Sequence, residues 1–328
     1  MKAVKLLLLF AIILVYIMSL HATLAPTLRL NITTDKQVYN VGEKVSISGN
    51  LTKDGTLVSD ALVCLEVDNP KNELLMIRTF ITGQTSTSSW PVEVTSLTPS
   101  DSSGNPIYNV QPGGNVGFKF SIKNNAASKY PVIVALSLFY CNGAPFTTFV
   151  AFNGTLDGGQ SITVLVWPVP IPMNAPVGTA YAYASVLNNL PKNNGLAYSP
   201  ETLATFIIGS RSSTSITTLT SNQGMFNLTL PLQSTSVMLG NYTIYAITYY
   251  SLQIASDKTT FKVILVGDLD NNGKIDMKDV AIVAKAFGTV PGDARWNPKA
   301  DLNPDNKIDM KDIAIVARAF GTTAVPDP

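Results

Sequence analysis

Histidine is nearly missing from this chain of 328 residues: the only one is His21, inside an apolar amino-terminal segment. With that segment removed the chain has no imidazole, which excludes Ser-His-Asp and Cys-His catalysis and histidine-ligated zinc. Cysteine is scarce as well. Cys64 and Cys141 fall in what strand counting makes different domains, so burial as small apolar side chains is expected rather than a bridge. Charged residues make up 14% of the chain and the formal net charge is +1, where an average soluble domain carries about 25% charged residues. Nucleic acid is thereby excluded as the main partner, because phosphate binding needs clustered Lys and Arg. Beyond the amino terminus no run reaches about 18 apolar residues, so no later segment is expected to cross a bilayer.

What is present begins with Lys2 and Lys5, an apolar run over 6–18, and small residues at Ala22 and Ala25. That is the order of a secretory signal. Residues 1–25 are read as a signal peptide. An uncleaved anchor is the alternative, because neither 20–22 nor 23–25 is a clean A-x-A site, and only then does the chain touch a membrane. Either way the rest is expected to be extracellular or at the cell surface. Five Asn-x-Ser/Thr sequons, at Asn31, Asn50, Asn153, Asn227 and Asn241, are candidate glycan sites on surface loops, which would make the protein a glycoprotein.

From Thr27 onward, short alternating runs are separated by Gly, Asn, Asp and Pro, the spacing of an all-β sandwich. The clearest puts Val116, Phe118, Phe120 and Ile122 on one face and Lys119, Ser121 and Lys123 on the other. Further strands are expected over 44–51, 61–67, 74–81, 132–140, 162–166, 181–187 and 242–250, and no helical period appears before residue 276. Residues 39–49 and 61–67 resemble the opening half of Ig-like surface domains of the macroglobulin or bacterial Ig type. The Gly-x-Phe and Gly-x-Tyr strands that close the pattern arrive only at 224–228 and 239–243. Counting agrees: 28–84 holds about four strands and 222–266 holds three, and a seven-stranded sandwich needs both.

The expected fold is therefore mainly β: two Ig-like sandwiches, one split over 28–85 and 217–266 and the other, 86–216, inserted in it. Three serial β-domains, or two ordinary ones, are the alternative. The insert resembles adhesion-related, CARDB-like modules of archaeal and bacterial surface proteins, on Val110-Gln111-Pro112-Gly113-Gly114, Lys123-Asn124-Asn125 and Pro176-Val177-Gly178. Ser/Thr-rich stretches at 85–89 and 210–220 flank it as linkers. Carboxylates in the β region, such as Glu43, Glu66, Asp68, Glu93, Asp101, Asp157 and Glu201, have no spacing that predicts one cleft. Trp90 and Trp167 either stack on sugar rings or are buried strand tryptophans.

Nine of the 17 aspartates lie between 268 and 312, where a twelve-residue loop occurs twice. Asp268, Asp270, Asn272, Asp276 and Asp279 occupy positions 1, 3, 5, 9 and 12 of the first loop, with the Lys274 carbonyl at position 7. Asp301, Asn303, Asp305, Asp309 and Asp312 repeat this 33 residues on, with Lys307 at position 7. Hard oxygen donors at these positions are what Ca²⁺ requires, and two ions are expected. Gly273 fills the turning position 6 and Asn306 replaces it in the second loop, asparagine being the residue that best tolerates a left-handed turn. Each loop leads into a short amphipathic helix, with Val280, Val283, Ala284 and Phe287 on the inner face of one and Ile313, Val316, Ala317 and Phe320 on that of the other. A strand, not a helix, precedes the first loop. This is half an EF-hand used twice.

Asp at position 12, the missing entering helix, the duplication and the Ala-Ile-Val-Ala-Lys/Arg-Ala-Phe-Gly helices together resemble type I dockerin domains over residues 267–322, leaving 323–328 as a tail. The resemblance implies docking onto a cohesin β-sandwich through Met277, Lys278, Ala284 and Lys285, and symmetrically Met310, Lys311, Ala317 and Arg318. Common dockerins carry Ser/Thr pairs where this chain has Met-Lys twice, which points to a cognate cohesin with an acidic rim. The methionines have a second reading as core filling. The leading expectation is an exported, non-catalytic adaptor whose β-domains are spacers or bind a polysaccharide or cell-surface ligand. Its rivals are a polysaccharide-degrading glycosyl hydrolase of a cohesin–dockerin assembly, and a surface-layer or adhesion protein.

Overall fold

The structure, a computed structural model, describes residues 27–83, 89–210, 219–233 and 237–326. The signal segment, most of both Ser/Thr-rich stretches and the last two residues of the tail lie outside the described residues. Among the described residues, eighteen strands form four sheets. In the first, β1 (Leu28–Thr34), β3 (Lys44–Lys53), β16 (Met225–Pro231) and β15 (Leu219–Asn222) run in that order, with the short β4 (Thr56–Leu57) on β3. The second has the order β2 (Val38–Asn40), β18 (Gln253–Ile264), β17 (Gly240–Tyr250), β5 (Leu62–Asp68), β6 (Leu74–Ile81). Both sheets thus mix strands from before residue 82 with strands from after residue 218. Gly49, paired with Phe226, shows why the register is exacting: a Cβ on Gly49 would run into the Phe226 ring, so the glycine leaves that ring its place in the core.

Residues 92–208 make the other two sheets. One is β12 (Ser161–Pro170), β9 (Asn115–Asn124), β7 (Val92–Ser100). Its companion is β11 (Pro145–Leu156), β10 (Tyr130–Phe139), β13 (Gly178–Leu187), β14 (Thr202–Ile208), β8 (Asn109–Val110). The alternation read in β9 is realised: Val116, Phe118, Phe120 and Ile122 are fully buried against Leu136, Leu138 and Phe206. Trp90 is half-buried and Trp167 is 40% exposed, because β12 is an edge strand whose outer face nothing covers among the described residues. All five sequon asparagines sit in strands rather than loops, and the Asn227 amide donates to the hydroxyls of Ser46 (3.1 Å) and Ser48 (2.9 Å). Both cysteines are free, with Cys64 buried.

The strand β5 is buried on both sides, which its sequence Leu-Val-Cys-Leu-Glu-Val-Asp does not announce. Val63, Leu65 and Val67 face the core of their own sandwich. Cys64 faces Ala135 and Leu187 of the other one, so each sandwich shields an outer face of its neighbour. Glu66 and Asp68 lie on that same side, fully buried, where Lys192 reaches Asp68 at 3.0 Å and Glu66 at 3.5 Å and also donates its backbone N–H to Glu66 (2.9 Å). Two carboxylates thus share one ammonium. Burial, followed by the neighbouring Asp68, pushes the Glu66 carboxyl up to about 7, against the pull of Lys192. A carboxyl raised in the folded state stabilises below its unfolded pKa near 4.5 and loses that contribution as pH rises toward 7. Glu66→Gln is therefore expected to flatten the pH dependence of melting over this window and to raise stability at pH 8 by up to about 3 kcal/mol. Chemical denaturation at pH 5 and pH 8 checks it; an unchanged difference between the two pH values counts against the assignment.

Among the described residues two α-helices follow the last strand, α1 (Met277–Ala286) and α2 (Met310–Ala319). Asp276 and Asp309 cap them, each accepting from the backbone two residues on, while the third helical residue, Asp279 or Asp312, bonds back to the cap: a capping box with aspartate in both roles. The inner rows differ from the expected ones. Asp279, Val283 and Ala286 are buried in α1, whereas Ala284 and Phe287 are exposed. Phe287 has left the helix (φ −56°, ψ 137°), so helical periodicity no longer places it. In α2 the buried row is Asp312 and Val316; Ala317 is exposed on the helix, and Phe320, like Phe287, has left it. No linker separates the helices from the sandwich: Ile275, Val283, Ile308 and Val316 belong to one core with Leu265, Val237 and Tyr242.

Candidate metal centres

The two loops share the bonds that close them. In the first, Asp279 Oδ1 accepts from the backbone of Leu269 (2.7 Å) and Asp270 (3.4 Å), and its Oδ2 accepts from Asp276 (2.8 Å). Asp312 does the same for Leu302 (2.7 Å), Asn303 (3.4 Å) and Asp309 (2.8 Å). At position 1, Asp268 accepts from Asn272 (3.1 Å) and Gly273 (2.8 Å), and Asp301 from Asp305 (3.2 Å) and Asn306 (3.0 Å). Each loop is therefore wound around its own carboxylates. Asn306 adopts φ 61°, the left-handed conformation expected where the first loop has Gly273 at φ 78°.

Asp268, Asp270 and Asp279 bring carboxylate oxygens within 4.8 Å of one another, a group that could hold a metal ion. Burial holds the Asp268 carboxyl above its ordinary value, and Asp279 and Asp270 add to the rise against the amides of Gly273 and Asn272. A cation would relieve that repulsion. Asn272 donates to Asp270 (3.0 Å), and Asp276 is turned to the helix, its Oδ1 accepting from Lys278 (2.7 Å). In the second loop the amide oxygen of Asn303, at position 3, is buried without a hydrogen-bond partner, an orphaned acceptor that an ion would satisfy. Asn303 Nδ2 donates to Asp305 (2.9 Å). The residues present thus fit a hard cation in both loops. The loops differ in the direction of the bond between positions 3 and 5 and in the Lys311 ammonium, which lies 3.0 Å from Asp305 and holds that carboxyl below the usual range.

Of the expected contact residues, Met277 is 67% and Met310 64% exposed, so neither fills the core. Lys278, Ala284, Lys285, Lys311, Ala317 and Arg318 are exposed as well. After each helix the chain pairs with the other loop: Gly288 donates to Ile308 (2.8 Å) and Ile308 to Thr289 (3.1 Å), as Gly321 donates to Ile275 (2.9 Å) and Ile275 to Thr322 (3.0 Å). The Gly-Thr that follows Phe in both repeats was the signal for this pairing. The second Gly-Thr continues into a strap, where the sequence predicts only a tail. Ala324 donates to Gly273 (2.9 Å), Val325 donates to Val237 (3.0 Å), and Leu239 donates to Val325 (2.8 Å), tying the first loop to the sandwich. A Cβ on Gly273 would meet the Ala324 oxygen at 2.6 Å, so this glycine serves both the turn and the strap.

Paired acidic loops, capped exit helices and a common short core are on this geometry a single duplicated module. Residues 266–321 match the type I dockerin domain family. No curated protein sequence matches the chain. Among solved structures, a type II cohesin–X-dockerin complex from Acetivibrio cellulolyticus is 25% identical over 33% of this chain and 78% of that one, at a TM-score of 0.17. The alkylpurine DNA glycosylase AlkC of Pseudomonas fluorescens is 14% identical over 38% of this chain and 32% of that one (TM-score 0.29). A β-glucosidase from Listeria innocua is 12% identical over 39% and 17% (TM-score 0.23). The chain thus spans about a third of the glycosylase and less than a fifth of the glucosidase. At these TM-scores none of the three bears on function. The dockerin domain is a non-catalytic module, joined here without a linker to the sandwich through Val266, whose N–H donates to Asn40 (2.9 Å).

Proposed function

We propose that this chain is an exported, non-catalytic adaptor whose dockerin domain, holding two Ca²⁺ ions, docks onto a cohesin-like β-sandwich of another protein. The observation that carries the reading is the duplication: two loops with the same side-chain-to-backbone bonds, each delivering a helix whose Met-Lys and Ala-Lys/Arg positions face solvent. Asp268, Asp270, Asn272, Asp276, Asp279 and the Lys274 carbonyl would hold the first ion. Asp301, Asn303, Asp305, Asp309, Asp312 and the Lys307 carbonyl would hold the second. Bound Ca²⁺ supplies positive charge to oxygen donors that otherwise repel one another.

The division into a split Ig-like sandwich (28–85 and 217–266) and an insert (86–216) belongs to the same reading, supported by the pairing of β3 with β16 and of β5 with β17. So do the extracellular or cell-surface location and glycans on the sequons. The sandwiches then act as a spacer or as a body that binds a polysaccharide or surface ligand. Their buried carboxylates Glu66, Asp68 and Glu201 are engaged by Lys192 and Arg78, which supports a structural use for them.

The test uses the full chain, because its dockerin domain shares a core with the sandwich. Immobilised on a surface, it is expected to retain at least one of a panel of purified cohesin domains in Ca²⁺ and to release it in chelator, and to liberate no sugar from polysaccharides. Hydrolysis abolished by one Glu→Gln substitution in the insert, or a chain that binds no Ca²⁺ in calorimetry, overturns the proposal.

A further inference from the structure

A duplicated module offers two equivalent faces, one on each helix. Met277, Ala281, Ala284 and Lys285 of α1 correspond to Met310, Ala314, Ala317 and Arg318 of α2, 33 residues on. The sandwich removes this equivalence. Gly267, at φ 103° on the way out of β18, passes beside the α2 backbone, so close that a Cβ there would be 3.6 Å from the Cα of Val316. Between α2 and the end of β2 this leaves an open groove of about 470 Å³, whose walls include Asn40 and Val266 of the sandwich and Lys311, Ala314, Ile315 and Arg318 of α2. On α1 the corresponding ground is partly taken: Arg295, from the segment between the repeats, donates to the Lys285 carbonyl (3.1 Å).

We infer that the α2 half is the docking half, and that the sandwich completes its site: the groove takes an acidic, small-residue rim of the cohesin-like partner. The inference rests on the docking reading and adds to it which face is used and what the partner must present. Val266, Ala314 and Ile315 make part of the groove's lining apolar, and the exposed alanine leaves room for a partner backbone to approach closely. Its two cations, Lys311 and Arg318, are seven residues apart, or about 10 Å along a helix, so carboxylates at that spacing on the partner complement them. Arg318 makes no ion pair among the described residues, and Lys311 is shared only with Asp305. A concave site with an apolar part and few charged groups fixes a partner's orientation.

The experiment compares equivalent substitutions in the full chain, using as probe the cohesin domain that the wild-type chain retains in Ca²⁺. Ala314→Trp and Arg318→Glu are each expected to weaken binding by roughly tenfold or more, and Ala281→Trp and Lys285→Glu by less than about twofold. Calcium titration of every variant separates a lost docking face from a lost fold; should Ala314→Trp disturb the loops, the exposed Arg318→Glu decides. The opposite pattern, or equal losses on both helices, overturns the choice of face and leaves docking standing. Failure of the wild-type chain to retain any cohesin overturns docking itself, and the face with it.

Discussion

Asp279→Ala is expected to abolish one of two calcium-binding events, weakening it by about a hundredfold or more, which is near 3 kcal/mol. The side chain closes the first loop and starts α1 at once. It is fully buried, and its two oxygens accept from Leu269, Asp270 and Asp276. Removing it strands those three N–H groups, of which each unsatisfied buried donor costs about 1–3 kcal/mol. It also takes a carboxylate out of the trio with Asp268 and Asp270. Asp312→Ala is expected to remove the other event and leave the first, because its bonds run to Leu302, Asn303 and Asp309 alone. Because Ile275 and Val283 share a core with Leu265 and Tyr242, the loss of the first ion should also lower the melting temperature of the sandwich. Calorimetric titration and thermal melting with and without chelator measure both. Two undiminished binding events in Asp279→Ala would falsify the assignment of this residue as the closing ligand.

The loops were legible because their logic is local: oxygen donors at fixed offsets, a turning residue at position 6 and an exit helix all fall within a dozen residues. Strand alternation served equally well for β9, which has one face in a core and one in water. It does not account for β5, where Glu66 and Asp68 are buried, since the second sandwich covers the face that alternation assigns to solvent. The inner row of α1 was displaced by the same kind of limit. Periodicity extends a helix through Phe287, while the backbone ends it at Ala286. Trp167 shows the converse, a large aromatic left outward by an edge strand. The strap over 322–326 has no apolar pattern, because its contribution is backbone hydrogen bonds to Gly273, Ile275 and Val237. Residues that meet across more than a hundred positions carry no mark of their partners.

Arg78 and Glu201 are such a pair, and Arg78→Ala is expected to destabilise the protein by about 3–5 kcal/mol, the cost of stranding one member of a buried ion pair. The guanidinium grips the carboxylate through Nε (2.9 and 3.0 Å) and a terminal nitrogen (2.6 Å). It lies over the Tyr183 ring, 3.8 Å from its centre, and near Phe139. Glu201 Oε2 also accepts from the Thr79 backbone (2.9 Å), and its own N–H donates to the Thr79 carbonyl (3.0 Å). These bonds cover the open edge of β6 with the second sandwich, which would otherwise expose a row of unpaired backbone groups. Alanine would leave the carboxylate buried without its cation and a hole between two aromatic rings. Arg78→Met combined with Glu201→Gln should recover most of the loss, since both charges then leave together. The wild-type chain is expected to melt in one transition, and Arg78→Ala in two, as the sandwiches uncouple. A single transition shifted by less than about 1 kcal/mol, the worth of a surface pair, would mean that the joint depends on the Cys64–Ala135–Leu187 cluster instead. With the joint intact, a partner held at the dockerin domain keeps a fixed orientation to the far sandwich, because β18 enters that domain without a linker.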